Sequence, residues 1–114
     1  MQRYVNAQIE NVVFGQIGDT KDYGILLQVL TSDNKRLNLG GFSVANEDED
    51  VPFGSKYIAK LFKVTKSREF KEINGKIIRL ILEKEGEDEK IIGIKNAITE
   101  DEIIFEDYIP KKEE

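Results

Sequence analysis

The stretch Asp50–Lys66, DVPFGSKYIAKLFKVTK, decides how the rest of the chain can be arranged. Apolar side chains fall at Phe53, Tyr57, Ile58, Leu61 and Phe62. That spacing draws one apolar stripe along a helix. Lys56, Lys60, Lys63 and Lys66 lie between them, on or near the opposite face. The stretch therefore predicts a helix with one side to bury and a cationic side to show, and it is the only convincing helix of the 114 residues.

Before it, the pattern is that of strands. Residues 3–14, RYVNAQIENVVF, put Val5, Ala7 and Ile9 on one face, and then Val12, Val13 and Phe14 follow consecutively. A bulge near Glu10–Asn11, or burial on both faces, accounts for the change of phase. Gly15, Gly18 and Asp19 predict a loop. Residues 23–31 and 35–44, joined by Ser32-Asp33-Asn34-Lys35, read as a hairpin. Gly40-Gly41 interrupts the third strand just before Phe42, which signals a kink, a bulge or the close approach of another group. Glu47–Asp50 form an acidic loop whose carboxylates suit the positive end of the helix, and Pro52 suits its first turn.

After the helix, a connector ends at the turn Asn74-Gly75. Lys76–Glu83 reads as a central strand interrupted by Arg79. Glu85–Glu89 reads as an acidic hairpin loop, and Lys90–Ile98 as the partner strand. Glu102–Phe105 suggests a short last strand. The order is three strands, one helix, then two or three strands. This predicts a single α+β domain over 1–109 with a tail at 110–114. The sheet is expected to be antiparallel, or a small partly closed barrel of about five to six strands, with the helix on its concave face.

Composition excludes several chemistries. There is no cysteine and no histidine, so thiol chemistry, disulfides, Cys/His zinc sites and imidazole catalysis are ruled out. The acidic clusters do not match a calcium loop, and no nucleophile–base pair or nucleotide fingerprint is present. No enzyme, cofactor or metal is expected. No run of about 18 apolar residues exists and the start lacks a signal-peptide pattern, so a cytoplasmic protein without a membrane partner is the expectation.

The net charge of −5 is uneven: −4 over residues 1–54, +5 over 55–76 and −6 over 77–114. Overall acidity argues against loose binding to duplex DNA, while the local cationic segment suits a small anion or an acidic partner. The constellation with functional content joins Gly40, Gly41 and Phe42 to Gly54, Ser55, Lys56 and Lys60. The first group offers bare backbone, the second free N–H groups, a hydroxyl and ammonium groups at a helix start, where phosphates bind. The carboxylates at 47–50 oppose an anion there. The plainer reading makes the glycines bends and close-packing positions.

Leu39-Gly40-Gly41-Phe42, Phe53-Gly54, the helix through Leu61-Phe62-Lys63-Val64, and Gly75-Lys76-Ile77-Ile78-Arg79 together resemble a family of small accessory proteins of phages and prophages. The family pattern closes with a tryptophan-containing segment, whereas this chain has no Trp and ends Ile103-Ile104-Phe105. The resemblance implies a non-enzymatic protein acting on host machinery, including immune systems. A host-directed, anti-defence inhibitor follows as an expectation, either sequestering a nucleotide-type signal or blocking a host protein. The alternative is a nucleic-acid-binding module on an oligonucleotide-binding barrel, which also has a helix between its third and fourth strands. Against it, most of the ten aromatics can be assigned to the core. Edge strands invite pairing between chains, which leaves a homodimer open.

Overall fold

A computed structural model describes residues 2–109; Met1 and the tail at 110–114 lie outside the described residues. The chain forms β1 (Gln2–Gln16), β2 (Asp22–Thr31), β3 (Arg36–Asn46), α1 (Gly54–Thr65), α2 (Phe70–Ile73), β4 (Ile77–Glu85), β5 (Asp88–Asn96) and β6 (Glu102–Ile104), then a 3-10 turn at Phe105–Tyr108. The six strands make one antiparallel sheet in the order β3-β2-β1-β4-β5-β6, curled into a half-barrel.

β1 causes the curl. Its first half pairs with β4 over Gln2–Gln8 and its second with β2 over Ala7–Gln16. The register slips between Ile9 and Asn11, so Glu10 is the bulged residue. A bulge bends its strand and raises the local twist, so β1 serves two neighbours lying in different directions. The change of hydrophobic phase in the sequence marks this place.

Ile25, Leu27 and Val29 of β2 are fully buried, while Leu26, Gln28 and Leu30 between them are not. The inward set meets Ala7 and Ile9 of β1, Ile78 and Leu80 of β4, and Ile94 of β5. Tyr57, Leu61 and Val64 of α1 close this core from the open side, together with Ile73 of α2 and Ile103 of β6. Each such side chain contributes about 1.5–3 kcal/mol on burial, which far exceeds anything a helix of 12 residues gains from propensity alone.

Several expectations are corrected. The helix begins at Gly54, with Phe53 as its N-cap residue, so Pro52 lies ahead of it. Phe53 is 49 % exposed and leaves the predicted apolar stripe. No carboxylate of the acidic loop caps the helix by a hydrogen bond, although Glu49 and Asp50 line a depression with Ser55 at the helix start. Glu47 instead accepts a hydrogen bond from the Tyr23 hydroxyl and Asp48 pairs with Lys21. Gly15 lies within β1 rather than in a loop. The connector after α1 holds α2, because Phe70 and Ile73 find apolar partners there. The hairpin at 85–89 is only a turn at Gly86-Glu87, with Glu85 and Asp88 already paired. β5 stops at Asn96, and Ile98 is 89 % exposed.

Candidate functional site

The two edges of the half-barrel approach each other at aromatic rings rather than through strand hydrogen bonds. Phe42 of β3 and Phe105, just after β6, have centroids 6.2 Å apart. Tyr57 of α1 lies 4.8 Å from Phe42 and 5.6 Å from Tyr108. Its ring is fully buried, and its hydroxyl has no hydrogen-bond partner among the described residues. Burial pushes its ionisation well above the ordinary range of a phenol.

Gly40 and Gly41 both take positive φ, 77° and 85°, where a side chain would be strained. They sit where β3 slips against β2. A Cβ on Gly40 would lie 2.9 Å from the Ile25 carbonyl oxygen and 3.3 Å from the Tyr57 hydroxyl. A Cβ on Gly41 would instead meet the Leu26 side chain, beside a shallow depression that also includes Val13 and Gly24. The pair thus serves two faces of the sheet. At Gly54, a Cβ would stand 2.0 Å from the Val44 carbonyl oxygen, so the helix start is pressed directly on the backbone of β3.

The seven residues singled out in the sequence therefore divide. Gly40, Phe42 and Gly54 are occupied by contacts within the chain. Ser55 opens on a depression that also holds Glu49 and Asp50, and the Gly54 N–H is taken by the Val51 carbonyl. Lys56 is exposed and Lys60 half-buried on α1, and neither lines the depression beside Ser55.

The four helix lysines also divide. Lys63 and Lys66 both reach Asp101, at 3.7 and 3.4 Å. A hydrogen bond from the Thr99 hydroxyl, then these two ammonium groups, hold the Asp101 carboxyl below its usual range. Lys56 and Lys60 have no carboxylate partner among the described residues, and the Lys56 amine stands 5.7 Å from the Phe53 ring. Phe53 itself holds φ 65° at the N-cap, an unfavourable conformation for a bulky residue. Among the described residues no group of three acidic side chains could hold a metal ion.

Sequence reasoning assigned most aromatics to the core and so missed those that are not. Tyr4 is 45 % exposed, Phe14 48 % and Phe70 38 %. Phe70 lies between Phe14 and Phe62, with ring centroids 6.0 and 5.0 Å away and the rings tilted against one another. Tyr4 lies on the outer face, 5.4 Å from the Arg79 guanidinium and 5.1 Å from the Lys95 amine. Lys95 is itself buried and bonds Glu100 at 2.6 Å, which raises its pKa and lowers that of Glu100. Arg79, the polar break in an apolar run, was the one sequence signal of this arrangement.

No protein-family model, no curated protein and no solved structure matches the chain. Fold and surface define a class: a small α+β protein with a six-stranded antiparallel half-barrel, a packed helix and a cationic helix flank. Among the described residues, no helix is long and apolar enough to cross a membrane.

Proposed function

We propose that the protein is a non-enzymatic binding protein that blocks an acidic surface of a host protein with the Lys56–Lys60 flank of α1. One observation carries this reading. In an acidic chain, these two lysines keep their charge unmatched among the described residues, while their neighbours Lys63 and Lys66 are engaged by Asp101. Unmatched charge of one sign speeds encounter with a complementary surface and selects among partners. The flank is open, which suits a broad partner better than an enclosed nucleotide-type signal. The resemblance of Leu39–Phe42, Phe53-Gly54 and Gly75–Arg79 to motifs of phage accessory proteins supports a host-directed, anti-defence role.

A second reading, a single-strand nucleic-acid module, is supported by two observations. Phe14 and Phe70 are both partly exposed with their rings tilted against each other 6.0 Å apart, and Arg68 lies two residues before Phe70 in the chain. β1 pairs with both β2 and β4, and α1 lies between the third and fourth strands, as in oligonucleotide-binding barrels. Stacking on aromatic rings with nearby cations is how single strands are held.

The test titrates the protein into labelled poly-glutamate and labelled oligothymidylate. The Lys56→Glu, Lys60→Glu variant is expected to lose at least about tenfold in poly-glutamate affinity, roughly 1.4 kcal/mol, with an unchanged melting curve. Unchanged affinity in the folded variant overturns the first reading. Tighter binding of oligothymidylate, steeply weakened by salt and reduced by Phe14→Ala, establishes the second.

A further inference from the structure

β5 runs from Asp88 to Asn96, but β6 pairs with it only at Gly93, Ile94 and Lys95. Over Asp88–Ile92 the outer edge of β5 has no strand partner among the described residues, although the 3-10 turn Phe105–Tyr108 packs against β5 where β6 ends. Ile92 is a bulged residue there: Ile81 pairs with Gly93 and Leu82 with Ile91, and Ile92 with neither. Bulges re-aim a side chain and mark the places where pairing ends.

Beside this edge lies a groove of about 500 Å³. Its apolar part includes Ile92, Ile104 and Phe105, and its carboxylates are Glu83, Glu85 and Glu106. Lys90 is the one cation that lines it, and its amine is held by Glu85 at 3.0 Å. Glu83 and Glu106 feel the same Lys90 ammonium at longer range and form no ion pair of their own among the described residues, so three carboxylates share one cation. The groove thus combines a strand edge that β6 leaves unpaired, apolar contact surface and surplus negative charge.

We propose that this groove takes an extended lysine- or arginine-rich segment of a partner protein, added as a strand along the Lys90–Ile92 edge of β5. Main-chain hydrogen bonds to an open edge supply affinity, and alternate side chains supply specificity. Apolar residues of the segment pack on Ile92, Ile104 and Phe105, and its cations meet Glu83 and Glu106. A second copy of this chain is a poor occupant, because its own edge brings glutamates against glutamates. The inference is independent of the lysine flank of α1: it uses other residues and the opposite charge.

The probe is a fluorescein-labelled peptide of alternating lysine and valine, added to the full chain and followed by anisotropy. Binding is expected with a Kd below about 1 mM, and none with the matching glutamate–valine peptide. N-methylation of alternate peptide amides, which removes strand hydrogen bonds without changing charge, is expected to weaken binding at least about tenfold. Glu83→Lys with Glu106→Lys is expected to do the same with melting unchanged, and Lys56→Glu with Lys60→Glu is expected to have no effect. Equal binding of the N-methylated peptide overturns the proposal, as does equal binding of the glutamate peptide or no binding below about 1 mM. The peptide comparison reads the edge in the unaltered protein, so it stands even where a charge reversal disturbs folding.

Discussion

The Asn96 side-chain amide donates a hydrogen bond of 2.6 Å to the Val64 carbonyl, joining the end of β5 to the last turn of α1 across 32 residues of sequence. Helix ends leave carbonyls without intrahelical donors, and this one is buried, where an unmet acceptor is costly. The Asn96 side-chain oxygen meanwhile accepts from the N–H groups of Ile98 and Thr99. One side chain thus fixes both the helix end and the loop that carries Asp101. Asn96→Ala is expected to cost about 1–3 kcal/mol, measured by urea denaturation. A loss below about 0.5 kcal/mol, the level of an ordinary surface change, would mean that water replaces the amide.

The contact between Gly54 and Val44 predicts a contrast between two glycines. A methyl group at Gly54 would fall 2.0 Å from a carbonyl oxygen of the strand backbone, and the whole helix must retreat to admit it. Gly54→Ala is expected to cost at least about 3 kcal/mol, the upper end for overpacking. At Gly15 a Cβ meets nothing within 4 Å. Gly15→Ala is expected to be neutral or stabilising by about 0.4–1 kcal/mol through the unfolded chain. Similar melting temperatures for the two variants would contradict the seating of α1.

Tyr57 predicts a gain from a loss. Its hydroxyl is buried and unpartnered, so Tyr57→Phe is expected to stabilise the protein by about 1 kcal/mol, the scale of an unmet polar group. The pH dependence has a definite sign. Burial raises the folded-state pKa above the ordinary 10.0, so the unfolded chain ionises first. Stability from this group is complete below pH 10.0 and falls as pH rises above that value. Urea titrations between neutral and alkaline pH are expected to show a shallower alkaline decline in the Tyr57→Phe variant. A destabilised variant would reveal a partner for the hydroxyl.

The turn at Gly86-Glu87 is local. Gly86 has φ 62°, and Glu85 and Asp88 are already a strand pair. Replacing Gly86-Glu87 by Asn-Gly is expected to leave cooperative unfolding and the melting temperature essentially unchanged, because that dipeptide favours tight hairpin turns. Loss of cooperativity would show that Glu87 holds more than a turn.

Much of the fold was legible in the sequence because it rests on short-range patterns. Alternation set the strands, the slip of phase at Glu10 set the bulge in β1, and of the stripe Phe53, Tyr57, Ile58, Leu61 and Phe62 the members Tyr57 and Leu61 mark the buried face of α1, which Val64 completes. These features follow from side-chain period and need no knowledge of distant partners. The tertiary structure alone decided what each marked residue does. Whether Gly54 is free to meet a phosphate or pressed on Val44 depends on a strand backbone ten residues away, and whether Lys56 or Lys63 carries a free charge depends on Asp101. Exposure of Phe14 and Phe70 depends on where the half-barrel stops, and the open edge of β5 on how far β6 extends. Sequence pattern reports which way a side chain points from its own backbone; which neighbour it meets is set when the sheet curls, by residues far apart in the chain.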